Sequence, residues 1–231
     1  GSTKLEGTVP TDDGPPTLTV IKDGEAVISE GGDTATFTVT VTNTSSATDP
    51  VTLTSISDSV FGNLMADALA DNNGNPIVIA PGASFTFSFD RPITLDAGEI
   101  HTNIVTVQGV DDEGVQSNVA SDAHAIATTN VAPVIDIVKG GPATITEGGD
   151  DVTWAFTITN NSVSTDPVTI TSLTDDQLDD VALFAAALAA FQALPGNAGA
   201  TEIVLAPNAS LNFSFNPAES LFLNAGETHT N

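Results

Sequence analysis

One stretch of this chain occurs twice. Residues 28–58 read ISEGGDTATFTVTVTNTSSATDPVTLTSISD, and residues 145–175 read ITEGGDDVTWAFTITNNSVSTDPVTITSLTD. The second lies 117 positions after the first, with 18 of 31 aligned residues identical. Self-similarity at a fixed period marks tandem modules that fold to the same design. A length of 231 residues suits two such modules of ordinary domain size.

Within the repeat the hydrophobic period is two. Ala35, Phe37, Val39 and Val41 alternate with Thr36, Thr38, Thr40 and Thr42. Alternation with β-branched residues predicts a strand with one buried face. The second copy places Val152, Trp154, Phe156 and Ile158 on that face, changing bulk while keeping polarity. Further strands are expected at residues 18–22, 51–56, 76–80, 84–89, 101–109 and 118–127, with turn residues between them. A short helix is expected near residues 64–70. Seven or eight short strands in about 115 residues predict an immunoglobulin-like sandwich.

The fold class expected is therefore all-β, with two tandem immunoglobulin-like β-sandwich domains. Residues 1–15 form an N-terminal strand and linker, residues 16–130 the first repeat, and residues 131–231 the second. Leu5, Gly7 and Val9 give the N-terminal stretch a weak alternating signal. The second repeat departs from the first in two ways. Residues 181–194 (VALFAAALAAFQAL) carry no charge, and Val181, Phe184, Leu188 and Phe191 fall on one helical stripe. Asp179 or Asp180 can cap that helix, and Pro195-Gly196 can end it. Residues 224–231 match residues 96–103 of the first copy, so the second copy is expected to lack its last two strands. That edge is expected first to be closed by strands that follow in a longer chain or after an inserted domain, and second by a strand from another molecule, with residues 3–9 as one donor.

Composition excludes several function classes. Four basic residues stand against 30 acidic ones, for a formal charge of −26. A nucleic-acid surface needs Lys and Arg to replace counterions, so no nucleic acid is expected as a partner. No apolar run approaches the roughly 20 residues of a membrane span, so no membrane insertion is expected. Cysteine is absent, which rules out disulfides and thiolate metal ligation. No serine-nucleophile elbow, phosphate loop or paired-histidine zinc motif is present, so no enzyme activity is expected. His101 and His229 occupy equivalent positions in separate copies, which suits strand ends better than a zinc site. Asn43, Asn160, Asn208 and Asn212 head N-x-Ser/Thr sequons.

The candidate ligand is Ca²⁺, held by carboxylates gathered at the ends of the first repeat. One end collects Glu30, Asp33, Asp58, Asp96 and Glu99. The other collects Asp49, Asp111, Asp112 and Glu113 beside Asp12 and Asp13. Clustered carboxylates repel one another, and Ca²⁺ takes six to eight oxygens. A solvated acidic face is the alternative.

The segments Thr38-Val39-Thr40-Val41-Thr42-Asn43-Thr44-Ser45, Asp49-Pro50-Val51-Thr52 and Ala97-Gly98-Glu99 resemble the Ig-like repeats of very large bacterial and archaeal surface proteins and secreted adhesins. That resemblance implies an extracellular or cell-surface location. It also implies a non-catalytic role as a stalk or extender module, rigidified by calcium. Partners would be neighbouring repeats, copies of the chain joined by strand addition into a filament, or a cell-surface ligand such as a carbohydrate or peptide. Exposed aromatic residues, which sugar sites need, are not apparent on the outward positions.

Overall fold

The computed structural model describes residues 14–217 and 219–230. The proposed N-terminal strand at residues 3–9, along with Asp12 and Asp13, lies outside them. The chain is predominantly β. It divides into two compact units: Gly1–Ile28, Asp33–Ile93 and Gly98–Thr128 in the first, and Ser29–Gly32, Thr94–Ala97 and Thr129–Asn231 in the second.

The first repeat contains β1 (Leu18–Gly24), β2 (Val27–Ser29), β3 (Asp33–Asn43), β4 (Val51–Asp58), β5 (Gly62–Asn63), α1 (Met65–Asp71), β6 (Val78–Ile79), β7 (Ser84–Ile93), β8 (Ile100–Val110) and β9 (Ala120–Thr129). One sheet has the order β1-β3-β7. The other has the order β2-β9-β8-β4-β5, with β6 also on β4. Phe37, Val39, Phe87 and Phe89 from the first sheet and Ile56, Val105 and Val107 from the second are all buried. The two sheets thus enclose one core.

The outward face of the β3–β7 pair is a ladder of hydroxyls. Thr36, Thr38, Thr40 and Thr42 lie opposite Asp90, Ser88, Thr86 and Ser84, and each pair is hydrogen-bonded. Cross-strand pairs of this kind stabilise a sheet and fix its register. The alternation read from the sequence is therefore functional on both faces of the strand.

Strand β4 breaks the simple alternation. Its register slips between Leu53 and Ser55, which is a β-bulge. Val51 and Leu53 face inward before the slip, and Ile56 and Asp58 after it. The bulge turns Asp58 into the core rather than toward solvent.

The stretch 71–75 ends α1. Asn73 and Gly74 both take positive φ, and the Gly74 amide reaches back to the Leu69 carbonyl at 2.7 Å.

The second repeat contains β10 (Ile135–Gly140), β11 (Trp154–Asn160), β12 (Val168–Ile170), α2 (Asp180–Gln192), β13 (Ile203–Leu205) and β14 (Ser210–Phe215). Its sheets have the orders β10-β11-β14 and β12-β13. Helix α2 begins where Asp179 accepts the Ala182 amide at 2.9 Å. Its buried face is Leu183, Ala187 and Phe191, which join Phe156, Ile158, Ile203, Leu211 and Phe213 in one cluster. The stripe expected from the sequence needs a correction at its start. Val181 sits 80% exposed, because the helix is rotated to bury Leu183 instead.

No strand among the described residues of the second repeat corresponds to β8 or β9. Consequences are visible position by position. Residues 55–58 of β4 pair with β8, whereas their counterparts 172–175 join no ladder. Leu18 and Val20 are 2% and 8% exposed, whereas their counterparts Ile135 and Ile137 are 40% and 51% exposed. Phe37 is fully buried, and its counterpart Trp154 only partly so.

Both repeats share a buried asparagine that ties three backbone segments together. Asn43 donates to the Asp49 and Ile79 carbonyls and accepts the Ser45 amide, at 2.8–2.9 Å. Asn160 does the same with Asp166, Leu205 and Ser162. Both side chains are wholly enclosed, so these two sequons are core positions rather than glycan acceptors.

Replacing Asn160 by Ala leaves two carbonyls and one amide without their partner, at about 1–3 kcal/mol for each group left unsatisfied. Urea unfolding followed by fluorescence of Trp154, the sole tryptophan, should show a loss of at least about 2 kcal/mol. A change within about 0.5 kcal/mol, the usual range for surface substitutions, would disprove the knot's role.

Candidate functional site

Three carboxylates of the second unit converge. Glu30, Asp96 and Asp166 each place an oxygen within 4.8 Å of the others. Two loops and one turn bring them there. Glu30 precedes Gly31, whose φ of 87° suits glycine alone and whose missing Cβ would stand 2.4 Å from the Cβ of Val163. The Ser164 hydroxyl donates to the Gly31 carbonyl. Glu30 itself is buried, and its two oxygens accept the amides of Ala97 at 3.0 Å and Val131 at 2.6 Å. Asp96 accepts the Ala97 amide at 2.9 Å. Asp166 ends the turn that Asn160 closes from beneath.

The electrostatics of the triad are unfavourable in isolation. Burial raises the Asp166 carboxyl above the ordinary carboxylate range, and the neighbouring Glu30 and Asp96 charges push it further the same way. A hard divalent cation on these oxygens would remove the repulsion, and carboxylate oxygens are the donors Ca²⁺ prefers. The donor set fits such an ion.

The other candidates from the sequence stand elsewhere. Asp33 accepts the next amide, Thr34, at 2.8 Å. Glu99 is exposed. Asp49 is buried and accepts the hydroxyls of Ser46 at 2.8 Å and Thr48 at 3.0 Å. Asp111 is buried and accepts the Val115 amide at 2.7 Å, closing its turn, while Asp112 and Glu113 are exposed in that turn. Among the described residues, only Glu30 and Asp96 of the sequence set meet, and Asp166, which the sequence did not mark, completes them. Its signal was repeat register, since Asp166 matches Asp49.

Asp58 belongs to a different constellation. It is 5% exposed and ion-paired with Lys22 of β1, itself 4% exposed. Its Oδ1 accepts the amides of Val60 and Phe61 at 2.8 and 3.0 Å. The Asn103 amide donates to Oδ2 at 2.9 Å. Lys22 Nζ stands 4.7 Å from the Phe37 ring centroid.

Burial lowers the pKa of Lys22. For Asp58, burial pushes upward, but the bond from Lys22 and the two amides outweigh it and hold the carboxyl low. His101 stacks on Phe61 with centroids 5.5 Å apart, and burial lowers its pKa too.

The second unit repeats the pair. Lys139 bonds Asp175 at 2.5 Å, lies 4.6 Å from the Trp154 ring, and Asp175 accepts the amides of Gln177 and Leu178.

No family model matches this chain, and no curated protein does. Among solved structures, the CARDB domain of a Pyrococcus furiosus protein, crystallised in complex with di-metal ions, is similar at 18% identity. The match covers 52% of this chain and all of that domain, with a TM-score of 0.30.

Two predictions test these sites. Because the Asp166 carboxylate is disfavoured in the fold, its contribution to stability is present below the unfolded value of about 3.9 and is lost as pH rises through its raised folded value. With chelator at neutral pH, Asp166→Asn should therefore melt higher than the parent. Calcium at ~100 times its Kd should stabilise the parent by about 2.7 kcal/mol and the variant far less. Equal calcium responses would refute the triad.

Asp175 behaves oppositely. Burial pushes it up, yet the bond from Lys139 and two amides hold it below the ordinary range. Its stabilisation is present above about pH 3.9 and is lost as pH falls through the lowered folded value. Trp154 fluorescence during acid titration should show an unfolding limb that Asp175→Asn flattens.

Proposed function

We propose that this chain is a non-catalytic stalk or extender segment of an extracellular adhesin or surface protein, built from immunoglobulin-like repeats and rigidified by Ca²⁺. One observation carries the reading. What the duplication preserves is structural: the Lys–Asp pair, buried in the first unit and half-buried in the second, and the buried Asn knot recur in both units at matching positions. Repetition of such core devices suits a chain whose task is to span distance. The strongly acidic composition supports a location rich in free divalent cations, since such charge attracts them. Calcium at Glu30, Asp96 and Asp166 would hold the loops 29–32 and 94–97 against the turn at residues 163–166.

The location is tested by labelling intact and permeabilised source cells with antibody against this chain. Labelling of intact cells, removed by brief external protease treatment, is the expected result. Signal confined to permeabilised cells would end the stalk reading.

A second reading has its own observation. Residues 172–175 join no ladder, Ile135 and Ile137 are exposed, and a cleft of about 500 Å³ opens between Val152, Trp154, Leu223 and His229. An unpaired edge beside an apolar face is the setting for strand addition, which would join copies of the chain into a filament. If residues 3–9 supply the strand, deleting residues 1–10 should abolish assembly measured by light scattering. Undiminished assembly would remove that donor.

A further inference from the structure

The core of the first unit holds three side chains whose arrangement exceeds what an ion pair needs. Lys22 comes from β1, Asp58 from β4 and Asn103 from β8, so two sheets contribute. All three are at most 5% exposed. The Lys22 amine and the Asn103 carboxamide nitrogen both donate to one oxygen, Asp58 Oδ2. Asp58 Oδ1 is occupied by the Val60 and Phe61 amides, so Oδ2 alone faces the other two groups. The Asn103 Oδ1 atom is buried without a hydrogen-bond partner. Phe37 and Phe89 lie 4.7 and 5.8 Å from Lys22 Nζ and wall the cluster from water.

A buried amine beside a buried carboxamide, with one carboxylate bonded to both, is the geometry of a transamidation. We propose that Lys22 and Asn103 join in an intramolecular isopeptide bond, with Asp58 as the proton carrier.

Lys22 gives a proton to Asp58 Oδ2 and becomes a neutral amine, the form that burial already favours. Its lone pair attacks Cγ of Asn103, and the carbonyl π pair moves onto Oδ1. Asp58 then protonates Nδ2 and takes a proton from Nζ. The carbonyl re-forms, the Cγ–Nδ2 bond breaks with its electron pair going to nitrogen, and ammonia leaves. Of the protons on the starting ammonium and amide, one remains on the new amide, three leave with ammonia and one stays on Asp58. No oxidant or cofactor enters.

A neutral acid at Asp58 also removes the charge that Lys22 no longer balances. The bond would join β1 to β8 across the sandwich. The proposal concerns the first unit alone: the second unit repeats the pair as Lys139–Asp175, but Asn231, which matches Asn103 in sequence, lies outside the described residues. It stands independently of the stalk reading, since it depends on core chemistry and not on location.

Intact-mass spectrometry of the full chain under denaturing conditions tests the bond without any variant. The expected mass is about 17 Da below that of the sequence, the loss of one ammonia. Peptide mapping after Glu-C digestion should give one branched product containing Lys22 and Asn103. Lys22→Arg, Asn103→Ala and Asp58→Ala should each restore that deficit to the full sequence mass. A folded parent chain at full sequence mass overturns the proposal. So does a loss of about 18 Da mapped to Lys22 and Asp58, which is condensation with loss of water. An ammonia loss that survives in Asn103→Ala, or maps away from Lys22, overturns it equally.

Discussion

Everything in the first unit converges on a lysine that should not be inside a protein. Burying an ammonium costs several kcal/mol even after relaxation, and a single carboxylate seldom repays it unless the remaining bonding groups are satisfied. Here the satisfaction is thorough on the acid's side. Asp58 accepts two amides on one oxygen, and an amine and a carboxamide on the other. On the amine's side, aromatic faces replace water. Those demands dictate much of the surrounding structure. The 59–61 turn must fold back so its amides reach Oδ1, and β4 must bulge so Asp58 points inward. Phe37 must lie flat beneath the amine. Asn160 and Asn43 do comparable work on uncharged groups, holding the loop carbonyls of Asp166 and Asp49 that would otherwise be buried alone.

How much of this could be seen in the sequence depends on parity. Period-two alternation made β3 legible, and its inward residues are the ones that are buried. It failed at β4, because a bulge shifts the count by one and local sequence carries no clear mark of it. Asp58 consequently looked like a turn carboxylate open to calcium. Charge counting hid Lys22 and Lys139 in the same way: four cations against 30 acids reads as a surface property. The usable signal was the repeat itself, since Lys22 and Lys139, and Asp58 and Asp175, occupy matching positions. In α2 the apolar run was so uniform that almost any stripe could be drawn, and packing against β14 chose Leu183 over Val181. The triad was half legible, because Glu30 and Asp96 sit in acidic turns while Asp166 lies far away in sequence.

Comparing the repeats isolates what β8 and β9 contribute. Among the described residues of the second unit, the ion pair, the asparagine knot and the β10-β11-β14 sheet stand beside no counterpart of those strands. What is absent is cover: Ile135 and Ile137 stay open, and residues 172–175 stay unladdered. The Lys139 pair is also less enclosed, with the two side chains 18% and 9% exposed against 0% for both in the first unit. In the first unit β8 and β9 supply that cover.

The scarcity of cations gives the acidic surface its chemistry. The three basic side chains among the described residues each bond an aspartate: Lys22 with Asp58, Lys139 with Asp175, and Arg91 with Asp67 at 2.9 Å. One of those cations lies in a core and a second is half-buried, where they neutralise inward carboxylates and leave surface acids unbalanced. Where such acids are held apart, water screens them. Where turns force them together, as at Glu30, Asp96 and Asp166, relief must come from a bound proton or from a solvent cation. The raised pKa of Asp166 is the proton's share of that relief. A divalent ion, which brings two charges and tolerates many oxygens, would give the same relief at the same oxygens.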